Sequence, residues 1–440
     1  MTPHQLATLV VLLATLVAQA VVPSLRLLVV TTGALSSLVA GALLGQVAVG
    51  TVLAHVPWDV LVIVVVLGLF SEFLAQSRVF GVLALAAAER SGARPAALSI
   101  VFVVAMYAVS GVVNNLTALL LVLPILLNLL KLVGTTQRAL SWTLAAVLVA
   151  CNLGGAATPV GDFPAILLLG RGAMTFPDYL LRALPQTAVA LALFVGATRL
   201  ARPERDVPTS RLTTRLALTT MRALFRNVRV ERRMVWPALG GLTAMVAAWT
   251  FVPPSWGLGP EVVAWAGAAV VLWSRPSVGE TLFRRRVDVE AVIFLLALFV
   301  LVGAVRAAGT FELAGRALSE LPVSPRVQVL VFLVAAAIIT GLFSAGPGMA
   351  ALLDVAEGLA RQHPPAAVYV GLAMSVCAGS SLFLTAATAG PLTQALTERA
   401  GLRVEGGAPA RFGFFQFLPV GLLGFSIILA TGLAFTWSAL

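Results

Sequence analysis

Two short polar stretches interrupt long apolar runs: SGVVNNLTALLLVLP, from Ser110 to Pro124, and NLGGAATPVGDFP, from Asn152 to Pro164. In the first, Ser110, Asn114, Asn115 and Thr117 offer side-chain oxygens without fixed charge. In the second, Asn152 and Thr158 add oxygens, Gly154 and Gly155 permit tight backbone, and Asp162 brings a carboxylate. Polar groups inside apolar segments are expensive unless they line a solute path, so these stretches are the expected site. A helix broken there frees backbone N–H and C=O groups. Its N-terminal amides can face an anion, while freed carbonyls with Asn and Thr oxygens can hold a small cation. Asp162, an acid between apolar runs, is the expected carrier of a proton or a cation. A Na⁺ ion is expected at Asn114, Asn115, Asn152 and Asp162. The plainer alternative makes the Asn and Thr groups hydrogen-bonding links between helices.

The elements that must hold these residues follow from composition. Of 440 residues, 60% are hydrophobic and only 11% charged, with a mean hydropathy of +1.00. An ordinary soluble domain is excluded, and an all-α polytopic membrane protein is expected. Apolar runs suited to crossing a bilayer fall at about 5–24, 27–48, 58–77, 97–131, 140–170 and 179–198. A second set falls at about 235–252, 261–273, 289–305, 327–343, 349–360, 366–396 and 413–437. The expected total is about 10–12 spans, with the run at 97–131 too long for one and broken near its middle.

The net charge of +11 comes mostly from arginines in loops, which positive-inside topology explains without nucleic acid. Ten arginines between Arg199 and Arg233 make residues 199–234 a basic connector expected in the cytoplasm, between an N-terminal half (1–198) and a C-terminal half (235–440). From Thr209 to Val228 the connector has helical character suited either to the membrane surface or to a solvated linker. The chain is expected in the inner membrane of the cell, with the lipid bilayer and a small ion as its partners. Cys151 and Cys377 form no disulfide framework, and His4, His55 and His363 lack metal-ligand spacing. No cofactor and no enzymatic activity are expected.

An internal repeat links the halves. Asp59–Phe80 lines up without gaps on Glu290–Phe311, Ser110 falls opposite Ser344, and Gly154-Gly155 falls opposite Gly379-Ser380. Repeat 1 is expected at about 58–198 and repeat 2 at about 289–437. The second unit starts beside Arg284, Arg285 and Arg286, the first beside AHVPWD, which carries no Lys or Arg. That charge contrast makes the repeats inverted, with Arg306, Arg316 and Arg326 outside and partly offset by Glu312 and Glu320. The second half offers Ser344, Ser380, Ser381 and Thr385 as the other half-site. Asp354 and Glu357 read as a solvated helix end; Arg78 reads as snorkelling to an interface and Glu72 as its partner or a water-facing acid.

At these residues the sequence resembles the ion transporter superfamily, and within it the citrate-transporter-like arsenite permease and NhaD-type sodium/proton antiporter group. NNLT, NLGGAATPVGD and the duplicated unit carry the resemblance. It implies re-entrant hairpins and discontinuous helices in two inverted repeats, a midplane site, alternating access and a homodimer. Antiporters of the group have Asp-Asn where this chain has Asn114-Asn115, and a second Asp-Asn where it has Gly348-Met349. The expected function is therefore secondary active transport of a small anion or metalloid oxyacid, coupled to Na⁺ or H⁺. The alternatives are a Na⁺/H⁺ antiporter working through Asp162 and a passive ion channel.

Overall fold

The computed structural model describes the chain apart from residues 1, 23–24, 45–47, 55, 91–94, 171, 202–218, 221–228, 253–255, 344, 388 and 405–406. Most of the basic connector, and with it the helical stretch expected at Thr209–Val228, lies outside the described residues. Among the described residues the regular structure is helical, with only an isolated bridge between Arg403 and Pro409. The first half contains α1 (Pro3–Val21), α2 (Arg26–Leu43), α3 (Val49–Ala54), α4 (Trp58–Gln76), α5 (Val79–Arg90), α6 (Pro95–Ser110), α7 (Asn115–Val133), α8 (Gln137–Ala157), α9 (Phe163–Gly170) and α10 (Phe176–Leu200). The second half contains α11 (Arg232–Phe251), α12 (Pro260–Trp273), α13 (Pro276–Arg285), α14 (Val289–Ala307), α15 (Thr310–Ser319), α16 (Pro325–Phe343), α17 (Ala345–Ala360), α18 (Pro365–Ser380), α19 (Ala389–Arg399) and α20 (Phe414–Ala439).

Among the described residues nine helices are long and apolar enough to cross a membrane, and four shorter apolar helices accompany them. This is a polytopic membrane protein. The longest expected runs are indeed broken: 97–131 divides between Ser110 and Asn115, 140–170 between Ala157 and Phe163, and 366–396 between Ser380 and Ala389.

Helix order repeats more widely than the residue patterns foretell. α4 and α14 are both 19 residues long and occupy corresponding positions in the aligned segments. Each is followed by a left-handed turn residue, Arg78 at φ 62° and Gly309 at φ 73°, which the ungapped alignment pairs. The correspondence extends through α10 and α20 and back to α1–α3 and α11–α13. These leading helices cross over: α2 and α3 pack on α14, while α12 and α13 pack on α4. The halves thus clasp one another through each other's fourth helix. α1 and α2 expose many large apolar residues, including Leu6, Val10, Leu28 and Leu35, as a lipid-facing pair does. By contrast α8 and α18 are buried along nearly their whole length and form the centre.

Two expectations are corrected here. Asp354 is not in a solvated helix end: its side chain is 6% exposed and ion-paired with Arg306, which also reaches Glu357 at 3.3 Å. The α14 arginine thus pairs with both α17 acids, of which Asp354 is the buried one. Gly348-Met349 is not the counterpart of Asn114-Asn115. It lies in the first turns of α17, whereas Asn115 is the first residue of α7, so by helix start Asn115 corresponds to Ala345.

Candidate functional site

The two polar stretches meet. α6 ends at Ser110, and after a four-residue break α7 starts at Asn115, capped by Asn114, whose Oδ1 accepts from the Thr117 amide at 2.8 Å. Asn caps in this way satisfy an otherwise orphaned helix donor, an effect of about 1 kcal/mol. α8 stops at Ala157 because Pro159 cannot continue it, and α9 restarts at Phe163. Asp162 immediately precedes α9, with its Oδ1 accepting from the Phe163 amide at 2.9 Å. A carboxylate there is stabilised by the positive end of the helix.

Side chains tie the two breaks together. Asn115 Nδ2 donates to Asp162 Oδ2 at 2.9 Å, and Ser110 Oγ donates to Asn115 Oδ1. Ser110 also lies 2.8 Å from the Cys151 carbonyl, and Thr158 Oγ1 donates to the Gly111 carbonyl at 2.6 Å. Glycines make the approach close enough. A Cβ on Gly154 would lie 2.3 Å from the Tyr107 carbonyl oxygen, and one on Gly155 would lie 2.5 Å from Asn115 Oδ1. The second half repeats the contact in weaker chemistry: the Ala345 amide, at the start of α17, donates to the Ala386 carbonyl at 3.3 Å.

The halves join at the centre. Asn152 Nδ2 lies 3.1 Å from the Ser380 carbonyl and 3.2 Å from Ser381 Oγ, linking α8 to the end of α18. Ser380 and Ser381 hydroxyls are buried and donate to Val376 and Cys377 carbonyls in their own helix. Thr385 is exposed, and Ser344 lies outside the described residues.

A cleft of about 470 Å³ runs between the halves. Asn114, Asn115, Thr117 and Asp162 from the first half line it together with Ala345, Gly346 and Ala387 from the second. Arg26, Arg285, Arg286 and Asp288 also line it, together with Glu72 from α4. Arg285 and Arg286 are exposed, whereas Arg26 pairs with Glu290 at 3.3 Å and lies 5.7 Å over the Phe294 ring. A second, enclosed cavity of about 10 Å³ is lined by Asn152, Asp162, Tyr179, Cys377 and Ser380, among others. Asp162 belongs to both cavities.

The expected residues therefore divide. Asn114, Asn115, Thr117 and Asp162 line the cleft, Asn152 and Ser380 line the small cavity, and Ser110, Thr158, Gly154 and Gly155 hold the breaks in place. The four expected Na⁺ ligands do not share one cavity: Asn152 faces the small one, Asn114 and Asn115 the large one. Sequence reasoning missed Arg26, Arg285, Arg286 and Glu72 as cleft residues and Tyr179 altogether. Arg285 and Arg286 carried only a topological signal, and Arg26 and Tyr179 sit at apolar runs that gave none.

Broken helices meeting at polar tips, with a solvent-sized cleft between two related halves, define a membrane transporter rather than an enzyme. The chain belongs to the CitMHS citrate transporter family, whose model matches residues 8–374. It is 25% identical over 395 residues to the uncharacterized transporter MT2759 of Mycobacterium tuberculosis, with 87% of each chain covered. It is 26% identical over 380 residues to the magnetosome protein MamN of Paramagnetospirillum magneticum, covering 85% of this chain and 84% of that one. The crystal structure of the Alcanivorax borkumensis YdaH transporter shares the fold, with a TM-score of 0.54 at 16% identity over 89% of this chain and 86% of that chain.

Proposed function

We propose that this protein is a secondary active transporter that moves a small anion by alternating access, with a sodium ion or a proton as the coupling ion. The cleft carries the reading. Exposed arginines at 285 and 286 attract an anion electrostatically, and the start of α7, with Asn114, Asn115 and Thr117, offers neutral hydrogen-bonding partners in the same cleft. Asp162 lines it as well. An anion beside a bare carboxylate is repelled, so occupancy by both favours a proton or cation on Asp162. That requirement is a physical basis for coupling. A carboxylate anion of the kind that names the family is the first substrate to assay, and metalloid oxyacids are the second.

The positive-inside rule supports a reading in which Arg285, Arg286 and the 199–234 connector face the cytoplasm of an inner-membrane protein, and in that reading the cleft opens inward. The inverted relation of the repeats and a homodimeric assembly belong to the same proposal.

Proteoliposomes loaded with defined salts test it. Labelled citrate, sulfate and arsenite are offered under imposed sodium or pH gradients. Accumulation above the equilibrium level, abolished when the driving gradient is collapsed, is expected for one of them. Flux that only ever runs down its own gradient would mean a channel. A second reading, cation/proton antiport, is favoured by the placement of Asp162 between two helix breaks. Sodium-dependent proton flux without added anion, lost in Asp162→Ala, would select it.

A further inference from the structure

The small cavity at the centre has an unusual donor and acceptor balance. Asn152 is 3% exposed, and its Oδ1 is buried with no hydrogen-bonding partner, while its amide nitrogen is engaged with Ser380 and Ser381. Such an orphan acceptor is costly in a packed interior. Two other polar groups lining the cavity have also given their hydrogens away, and the Cys377 thiol on the same wall is only a weak donor. Tyr179, 2% exposed, donates its hydroxyl to the Ala156 carbonyl at 2.8 Å, and Ser380, 4% exposed, donates to the Val376 carbonyl at 2.8 Å. Asp162 completes the wall with a carboxylate whose oxygens have lone pairs beyond those used by Asn115 and Phe163.

The cavity therefore presents four oxygen acceptors and no free polar hydrogen from these four groups. A single water has two hydrogens and can satisfy two of them. One small cation held among them would satisfy all four at once, and the carboxylate would neutralise it. The volume of about 10 Å³ admits one water-sized particle. Oxygen donors suit a hard ion, and the size favours sodium over potassium.

We infer that this cavity is a sodium site built from Asn152, Asp162, Tyr179 and Ser380, distinct from the substrate cleft and joined to it through Asp162. The site spans both halves, since Asn152 is on α8 and Ser380 on α18. An ion there draws Asp162 into its own shell and removes the charge that an anion in the cleft would meet. The inference rests on the transporter reading only in calling the ion a coupling ion; binding itself stands without it.

Equilibrium binding tests it on the full-length protein in detergent, with neither substrate nor gradient. Thermal unfolding is followed while NaCl replaces choline chloride at constant ionic strength, with KCl in parallel. Sodium is expected to raise the unfolding temperature saturably, with potassium at least tenfold weaker. Tyr179→Phe keeps the ring and removes one oxygen, and Ser380→Ala removes a hydroxyl bonded only within its own helix. Each is expected to raise the half-saturating sodium concentration about three- to tenfold, and Asn152→Ala by more than tenfold. Folding of each variant is checked by size-exclusion chromatography, and Tyr179→Phe alone decides the matter if Asn152→Ala fails to fold. Equal responses to sodium and potassium, or an unchanged sodium response in Tyr179→Phe and Ser380→Ala, would overturn the site and leave a buried water as its occupant. Gradient-driven anion uptake with no sodium binding would sink this inference and leave the transporter reading intact. Sodium binding without uptake would do the reverse.

Discussion

Asn115 donates a 2.9 Å hydrogen bond to Asp162 across the two helix breaks, while its own carbonyl accepts from Ser110. One amide thereby fixes both the α6–α7 tip and the only carboxylate on the second break. Asn115→Ala removes the donor to a charged acceptor, a loss of about 2 kcal/mol by the usual scale for such bonds. Uptake is expected to fall at least tenfold with the protein still folded. Asn115→Asp keeps the shape but sets two carboxylates together. Its uptake is expected to recover in part on acidification, because a proton shared between the acids restores the lost donor. A flat pH response in Asn115→Asp would show that the pair does not touch the transported ion.

The same geometry makes Gly155 a sharp test of position. Its added Cβ would meet Asn115 Oδ1 at 2.5 Å and Asp162 Cβ at 2.9 Å, without contributing any chemistry of its own. Gly155→Ala is expected to cost about 1–3 kcal/mol through overpacking and to reduce transport as strongly as Asn115→Ala. Gly358→Ala, where a Cβ has nothing within 4 Å, is the tolerated control. Assaying both by uptake per folded molecule separates displacement of the network from general loss of protein.

Much of this centre was legible in the sequence because its chemistry is expensive in lipid. Asn114, Asn115 and Asp162 stand out as polar faults in apolar runs, and the breaks at Ser110 and Ala157 follow from the polar Asn pair and Pro159. The leading helices were not recognised as part of the repeat. Lipid-facing helices such as α1 and α2 need only be apolar, so few residue matches to α11 and α12 survive to be seen. Asp354 was misread because its partner Arg306 is 48 positions away in the chain and three helices earlier, and spacing alone does not show that contact.

Arg78 and Gly309 turn the repeat itself into a prediction. Both follow their 19-residue helices in left-handed conformation, but only glycine adopts it without strain. Arg78→Gly relieves about 1–2 kcal/mol of backbone strain and adds about 0.5–1 kcal/mol of unfolded-chain entropy, for a net gain below about 1.5 kcal/mol. Gly309→Ala is expected to destabilise by about 1 kcal/mol. Opposite shifts in thermal unfolding of the two variants are the expected result, and shifts of the same sign would contradict the matched turns.

Arg285 and Arg286 are expected to act on capture rather than on the transport step. They are exposed on the wall of the cleft, so their attraction for an anion is long-ranged and screened by salt. Changing both to Gln is expected to raise the KM for anion uptake about three- to tenfold at low ionic strength, with little change in the maximal rate. The difference should shrink as salt is added. A reduced maximal rate at unchanged KM would instead place the pair in the conformational change.

The Arg306–Asp354–Glu357 cluster separates charge from packing. Asp354 is nearly buried, so Arg306→Ala removes an ion-pair partner from a buried acid, and breaking a buried pair in this way costs about 3–5 kcal/mol. Arg306 is 30% exposed, which lets solvent reduce the loss to about 2–3 kcal/mol. Replacing the pair by Met and Leu removes the buried acid and fills similar volume, while Glu357, 32% exposed, is reached by solvent. The double change Arg306→Met with Asp354→Leu is therefore expected to be more stable than Arg306→Ala and close to the parent protein, as read by thermal unfolding. If the double variant were instead the least stable of the three, the pair would be holding α14 against α17 by specific geometry that apolar packing does not replace.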